Sequence, residues 1–106
     1  MAGRIRAGIR TARNRAAAAI RLYGKKRAGR LRQFAADEST SAQGHFYAAR
    51  AWETVPHERG ALAMADFNRT QNRVALRRTS SARRSAERTR KWSRTIANKV
   101  RGKKRK

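Results

Sequence analysis

Guanidinium groups spaced three or four residues apart are the most repeated chemistry in this chain. Arg69, Arg73, Arg77, Arg84, Arg88 and Lys91 project along one side of a helix at 100° per residue. Arg6, Arg10, Arg13 and Arg21 lie along one flank nearer the N-terminus, with Arg4 and Arg15 on the other. Such rows neutralise phosphate: each cation that meets a backbone phosphate displaces condensed counterions, which gives affinity without reading sequence. The candidate nucleic-acid-binding set is therefore Arg4, Arg6, Arg10, Arg13, Arg15, Arg69, Arg73, Arg77, Arg84, Arg88, Lys91 and Arg94. Trp92, within Arg90-Lys91-Trp92-Ser93-Arg94, is a candidate for base stacking. Its spacing to Ile96 and Val100 at i+4 and i+8 favours the other expectation, that it packs with them on a neighbouring helix or protein.

The charge divides the chain into three. Residues 1–36 hold nine Arg and two Lys with no acid, for +11. Residues 37–66 set five acids against Arg50 and Arg59, for −3. Residues 67–106 hold eleven Arg and five Lys against Glu87 alone, for +15. A compact domain cannot bury such charge, and left alone it repels itself, so the two basic arms call for a polyanion. Arg outnumbers Lys 22 to 7, which matches a preference for forked phosphate contacts, although nucleotide composition bias produces the same ratio.

Other site chemistries find little footing. There is no cysteine, and His45 and His57 stand without the partners of a metal-ligand pattern, so no metal site or cofactor is expected. Glu53, His57 and Glu58 are near one another in sequence, but nothing supplies a nucleophile or an oxyanion donor, and no catalytic constellation emerges. Gly24 and Gly29 flank a basic cluster without the spacing of a phosphate loop. Ser80 and Ser85 follow arginines as basophilic kinase sites do, a match that Arg-rich chains produce by chance. The chain reads as a non-enzyme.

The elements that would position the cations are helical. Ile5, Ile9, Ala12, Ala16, Ile20 and Tyr23 form an apolar stripe that predicts an N-terminal amphipathic helix ending near Gly24. Leu31, Phe34 and Ala35 predict a short second turn or helix. Asp37–Ser41 reads as a linker, and Thr40 with Gln43 as a capping box opening a helix to about Thr54. Pro56 suits the first turn of the next helix, running to about Val100. Its apolar seam would be Phe67, Val74, Trp92, Ile96 and Val100, with Ser81, Ala82 and Ser85 between them. Residues 40–76 hold the aromatic cluster available for a core. No strand alternation and no internal repeat stand out.

The expected fold is all-α and extended, with two or three amphipathic helices and a small central helix–helix core. Its parts are a basic N-terminal amphipathic arm (1–36), a mildly acidic, aromatic-containing central segment (37–66) and a basic C-terminal helix and tail (67–106). A chain of 106 residues with so few bulky apolar side chains has little surplus stability, so its order is expected to depend largely on its partner. No signature of an RNA-recognition motif, KH domain, zinc finger, homeodomain or basic zipper is present.

The expected function is that of a structural nucleic-acid-binding protein, largely sequence-independent, within a nucleoprotein particle. DNA packaging in a virion or nucleoid is favoured slightly over RNA binding in a ribosome or mitochondrial ribosome. The middle would contact other proteins of the assembly. One rival is a basic amphipathic membrane-surface protein using Ile5–Tyr23, disfavoured because the C-terminal arm has few bulky groups to insert. Another is an adaptor whose arms engage an acidic protein. An acid-free, Arg-rich N-terminus also fits a mitochondrial presequence, but Thr11 is the one Ser or Thr in the first 36 residues.

Overall fold

A computed structural model describes residues 2–102, and they form two α-helices with no strand among them. Helix α1 runs Ala2–Glu53 and helix α2 runs Ala61–Arg101. They make two compact units. One joins the residues up to Arg30 with those from Ser85 onward; the other comprises Leu31–Arg84.

The buried positions explain why these residues pair as helices. In α1, Ala28, Ala35, Ala42 and Ala49 recur every seventh residue and are all buried, as are Ala17 and Gly24 on the same stripe. In α2 the inward positions alternate by four and three: Ala61, Ala65, Asn68, Asn72, Ala75, Thr79, Ala82, Ala86, Thr89 and Ser93. That 3.5-residue spacing is the seam of a coiled coil, filled here by small side chains instead of leucine. Small residues bury little apolar area each, so close backbone approach and dispersion contacts must hold the pair.

Within the unit of Leu31–Arg84, polar side chains reach across that short gap to the facing helix. Asn72 Nδ2 donates to the Ala42 carbonyl at 2.7 Å, and Thr79 Oγ1 to the Ala35 carbonyl at 3.4 Å. His45 Nδ1 and Asn68 Oδ1 lie 2.8 Å apart, while Asn68 Nδ2 donates to the Met64 carbonyl. Residue numbers rise on one helix as they fall on the other, so the pairing is antiparallel. The Thr54–Gly60 reversal is stitched by Thr54 N and Oγ1 to the Ala51 carbonyl and by Glu58 N to the Val55 carbonyl. Gly60, at φ +79°, takes the left-handed conformation that lets its carbonyl accept the first helical bond of α2, from Met64 N.

Within the other unit the closest approach is Gly24 against Ser93. A Cβ built on Gly24 would overlap Ser93 Oγ and Cβ. One turn away, Arg21 Nη2 donates to Asn98 Oδ1 at 2.9 Å. The direction is again antiparallel, and every position from Gly3 to Ala16 is exposed.

Several expectations are corrected. The α1 helix does not end at Gly24, because that glycine is the site of closest packing and the helix passes through it. No separate turn or helix begins at Leu31. Asp37–Ser41 is helical, not a linker: Gln33 Nε2 donates to Asp37 Oδ1 at 3.0 Å, and Thr40 Oγ1 bonds back to the Ala36 carbonyl instead of capping. Helix α2 starts at Ala61 and not Pro56, since the turn closes at the left-handed Gly60.

Ala82 is buried as the expected seam had it, but other positions of the expected seams shift by one residue. Ala17 is buried where Ala16 was expected; Asn68, Ala75 and Ser93 are buried beside Phe67, Val74 and Trp92. Helices in such close contact have no room for the larger side chains. Phe46, Tyr47 and Phe67 are largely exposed, so the core is not an aromatic cluster, and buried alanines occur in both units instead of the centre alone. The small-residue heptad is a repeat that the sequence does carry.

The glycines separate packing from propensity. A methyl group added at Gly44, as at Gly29, would meet nothing within 4 Å, so Gly44→Ala should stabilise by roughly 0.5–1 kcal/mol. Gly24→Ala should lower the melting temperature despite alanine's better propensity, and adding Ser93→Gly should restore it. Thermal unfolding followed by circular dichroism checks all three; a stabilising Gly24→Ala would rule out the Gly24–Ser93 contact.

Candidate nucleic-acid interface

The antiparallel pairing brings the two acid-poor ends of the chain into one unit. Residues 2–30 and 85–102 together carry sixteen cations against Glu87, a charge of +15. Residues 31–84 carry nine cations against five acids, or +4. Among the described residues, the ion pairs all belong to this second unit: Arg69 with Glu53 and Asp66, and Arg78 with Glu38 at 4.0 Å. The hydrogen bond that Arg69 donates to Asp66, with Glu53 beside it, raises the guanidinium's pKa further above its ordinary value. The Arg69 pairs are exposed, and such contacts add little stability. They do mean that local acids already hold Arg69.

The predicted residues are distributed as follows. Arg4, Arg6, Arg10, Arg13 and Arg15 are exposed on the N-terminal stretch of α1. Arg88, Lys91 and Arg94 are exposed on the C-terminal stretch of α2, in the same unit. Arg69, Arg73, Arg77 and Arg84 are exposed as well but belong to Leu31–Arg84. The six-residue row therefore shares one face of α2 while being divided between the units. Trp92 is 52% exposed, so half of its surface is open to a base or to another protein.

Around the Gly24–Ser93 contact the first unit has a groove on each side of the seam. One is lined by Arg21, Lys25, Arg90, Arg94 and Asn98, with Leu22 and Ser93. The other, of about 420 Å³, is lined by Tyr23, Arg27, Arg88, Thr89 and Trp92. Lys25, Arg27 and Arg90 were not singled out from sequence. Each sits in a basic run of its own helix, Lys25-Lys26-Arg27 or Arg90-Lys91, and which of these cations line a common groove is set only by the pairing of α1 with α2.

The arrangement offers fixed positive charge along exposed helical faces, with two half-exposed aromatic rings among the cations. Among the described residues no group of His, Asp or Glu could hold a metal ion. No described helix is long and apolar enough to cross a membrane. No family model matches the chain, and no curated protein or solved structure is significantly similar to it.

In a Trp52→Phe protein, which keeps Trp92 as its single tryptophan, acrylamide should quench the emission strongly in the absence of any ligand. Emission shielded from acrylamide would mean that Trp92 is covered, contrary to this geometry.

Proposed function

We propose that this chain is a non-enzymatic structural protein that binds nucleic acid through its phosphates, largely without regard to sequence, within a nucleoprotein particle. DNA packaging in a virion or nucleoid is the favoured setting, ahead of RNA binding in a ribosome-like particle. The observation that carries the reading is the convergence of residues 2–30 and 85–102 on one unit with sixteen cations and one acid. Without a polyanion, that unit is opposed by its own repulsion. The nearly balanced second unit, with Phe46, Tyr47, Leu62 and Phe67 exposed, suits contacts with other proteins of the particle.

If about eight phosphates are neutralised, duplex-DNA affinity should fall with a log–log salt slope of about −7. A slope near zero, or strong discrimination between scrambled duplexes of equal length, would overturn the reading. Changing Arg6, Arg10, Arg13, Arg88, Lys91 and Arg94 to Gln should flatten the slope by roughly five units. Changing Arg32, Arg50, Arg59, Arg69, Arg78 and Arg83 removes the same charge from the other unit, where acids already hold Arg69 and Arg78, and should flatten it less. Equal losses would mean that total charge alone governs binding.

The same repulsion implies that the basic stretches gain order from the partner. Circular dichroism of the free protein at low concentration should show helicity that rises when nucleic acid is added. A helical signal already complete in the free chain would contradict this.

A membrane-surface reading is favoured by one observation, the 65% exposure of Ile5 and the 48% exposure of Ile9 among arginines. Binding to anionic vesicles compared with binding to duplex DNA at matched ionic strength separates the two. Tighter vesicle binding that Ile5→Ser and Ile9→Ser abolish would favour the membrane.

A further inference from the structure

Phosphate neutralisation needs no aromatic groups, yet one groove of the basic unit has two. Tyr23 and Trp92 are each about half exposed and line the same open space as Arg27, Arg88 and Thr89. On α1, Tyr23 precedes Arg27 by four residues; on α2, Arg88 precedes Trp92 by four. Gly24 packs between Ser93 and the Thr89 carbonyl, an antiparallel register that sets Tyr23 about level with Trp92 and Arg27 about level with Arg88. The aromatic pair and the arginine pair therefore leave the helices about one turn apart, roughly 6 Å along the axis, with the Arg27 guanidinium reaching back to the Tyr23 hydroxyl. Arg27 Nη1 is 3.4 Å from the Tyr23 hydroxyl and Arg88 Nη2 is 3.3 Å from Ser85 Oγ, contacts that keep both guanidinium groups at the groove.

We propose that this groove takes an unpaired nucleotide of single-stranded nucleic acid, its base against Trp92 and Tyr23 and its phosphate against Arg27 and Arg88. A stacked base in a duplex hides its face, so only an unpaired base can use the aromatic pair, whereas any phosphate can use the arginine pair. The proposal rests on the nucleic-acid reading and adds a preference that charge alone does not give. Thr89 Oγ1 is already committed to the Ser85 carbonyl at 2.8 Å, so it shapes the floor and does not read the base edge. Base identity should matter little.

The test compares a twelve-residue oligothymidylate with a mixed-sequence duplex of equal phosphate count, at one fixed salt concentration, using the full chain. Trp92→Leu should reduce single-strand affinity about tenfold more than duplex affinity, since one stacked base contributes on this scale. Trp92→Phe should recover most of the ratio, and Phe34→Leu, an exposed aromatic away from the groove, should leave it unchanged. In the Trp52→Phe background, the oligothymidylate should quench Trp92 emission and the duplex should not. If Trp92→Leu lowers both affinities alike, or neither, the nucleotide groove is overturned while phosphate binding stands. If the unaltered protein binds neither polymer at low salt, both readings fall.

Discussion

Everything in this fold follows from how closely two helices can approach when the residues between them are small. Gly24 against Ser93, and the alanines at 28, 35, 42 and 49, set that spacing. Because the gap is narrow, Asn72 and Thr79 can reach main-chain carbonyls of the opposite helix, contacts that fix register as well as distance. Because it is narrow, the large side chains have to lie outside it. The exposed aromatics and the small-residue core are two results of one steric fact.

The spacing also determines the electrostatics. Antiparallel pairing folds a chain with basic ends and an acidic middle so that like charge meets like charge. Residues 2–30 and 85–102 meet with almost no acid between them, while Glu38, Glu53 and Asp66 find arginine partners within Leu31–Arg84. Sequence distance and spatial distance are thus inverted. The arms look like two separate ends of the chain, and the fold makes them one surface. Self-repulsion there is the physical argument for a polyanionic partner.

The helical class, the C-terminal limit of α2 near Val100 and the exposure of the arginine row were legible in the sequence. The seam was not, for a reason of scale. Hydrophobic periodicity weights large apolar residues, so Ile5, Phe67 and Trp92 drew the predicted stripes, while Ala28, Asn72 and Ser93 carried no weight. Counting small residues at seven-residue intervals would have found them. Gly24 and Asp37–Ser41 misled similarly, since their local preference for ending a helix is worth at most about 1 kcal/mol per residue and packing overrides it. Arg88 and Trp92 were candidates along the chain, but their meeting with Tyr23 and Arg27 in one groove had no signal there, being made by pairing residues from two helices.

The tight reversal at Thr54–Gly60 also sets an order of assembly. Glu53 meets Arg69 across sixteen residues of chain, whereas Arg21 meets Asn98 across seventy-seven. Loop closure costs more for the longer separation, and the contacts near the turn can form first and shorten the rest. Assembly then zips from the turn outward, beginning where charges balance and ending where they repel. The last contacts to close are also the first to open, so the basic unit is the natural point of fraying, and on the proposed function a polyanion bound there would act as a latch.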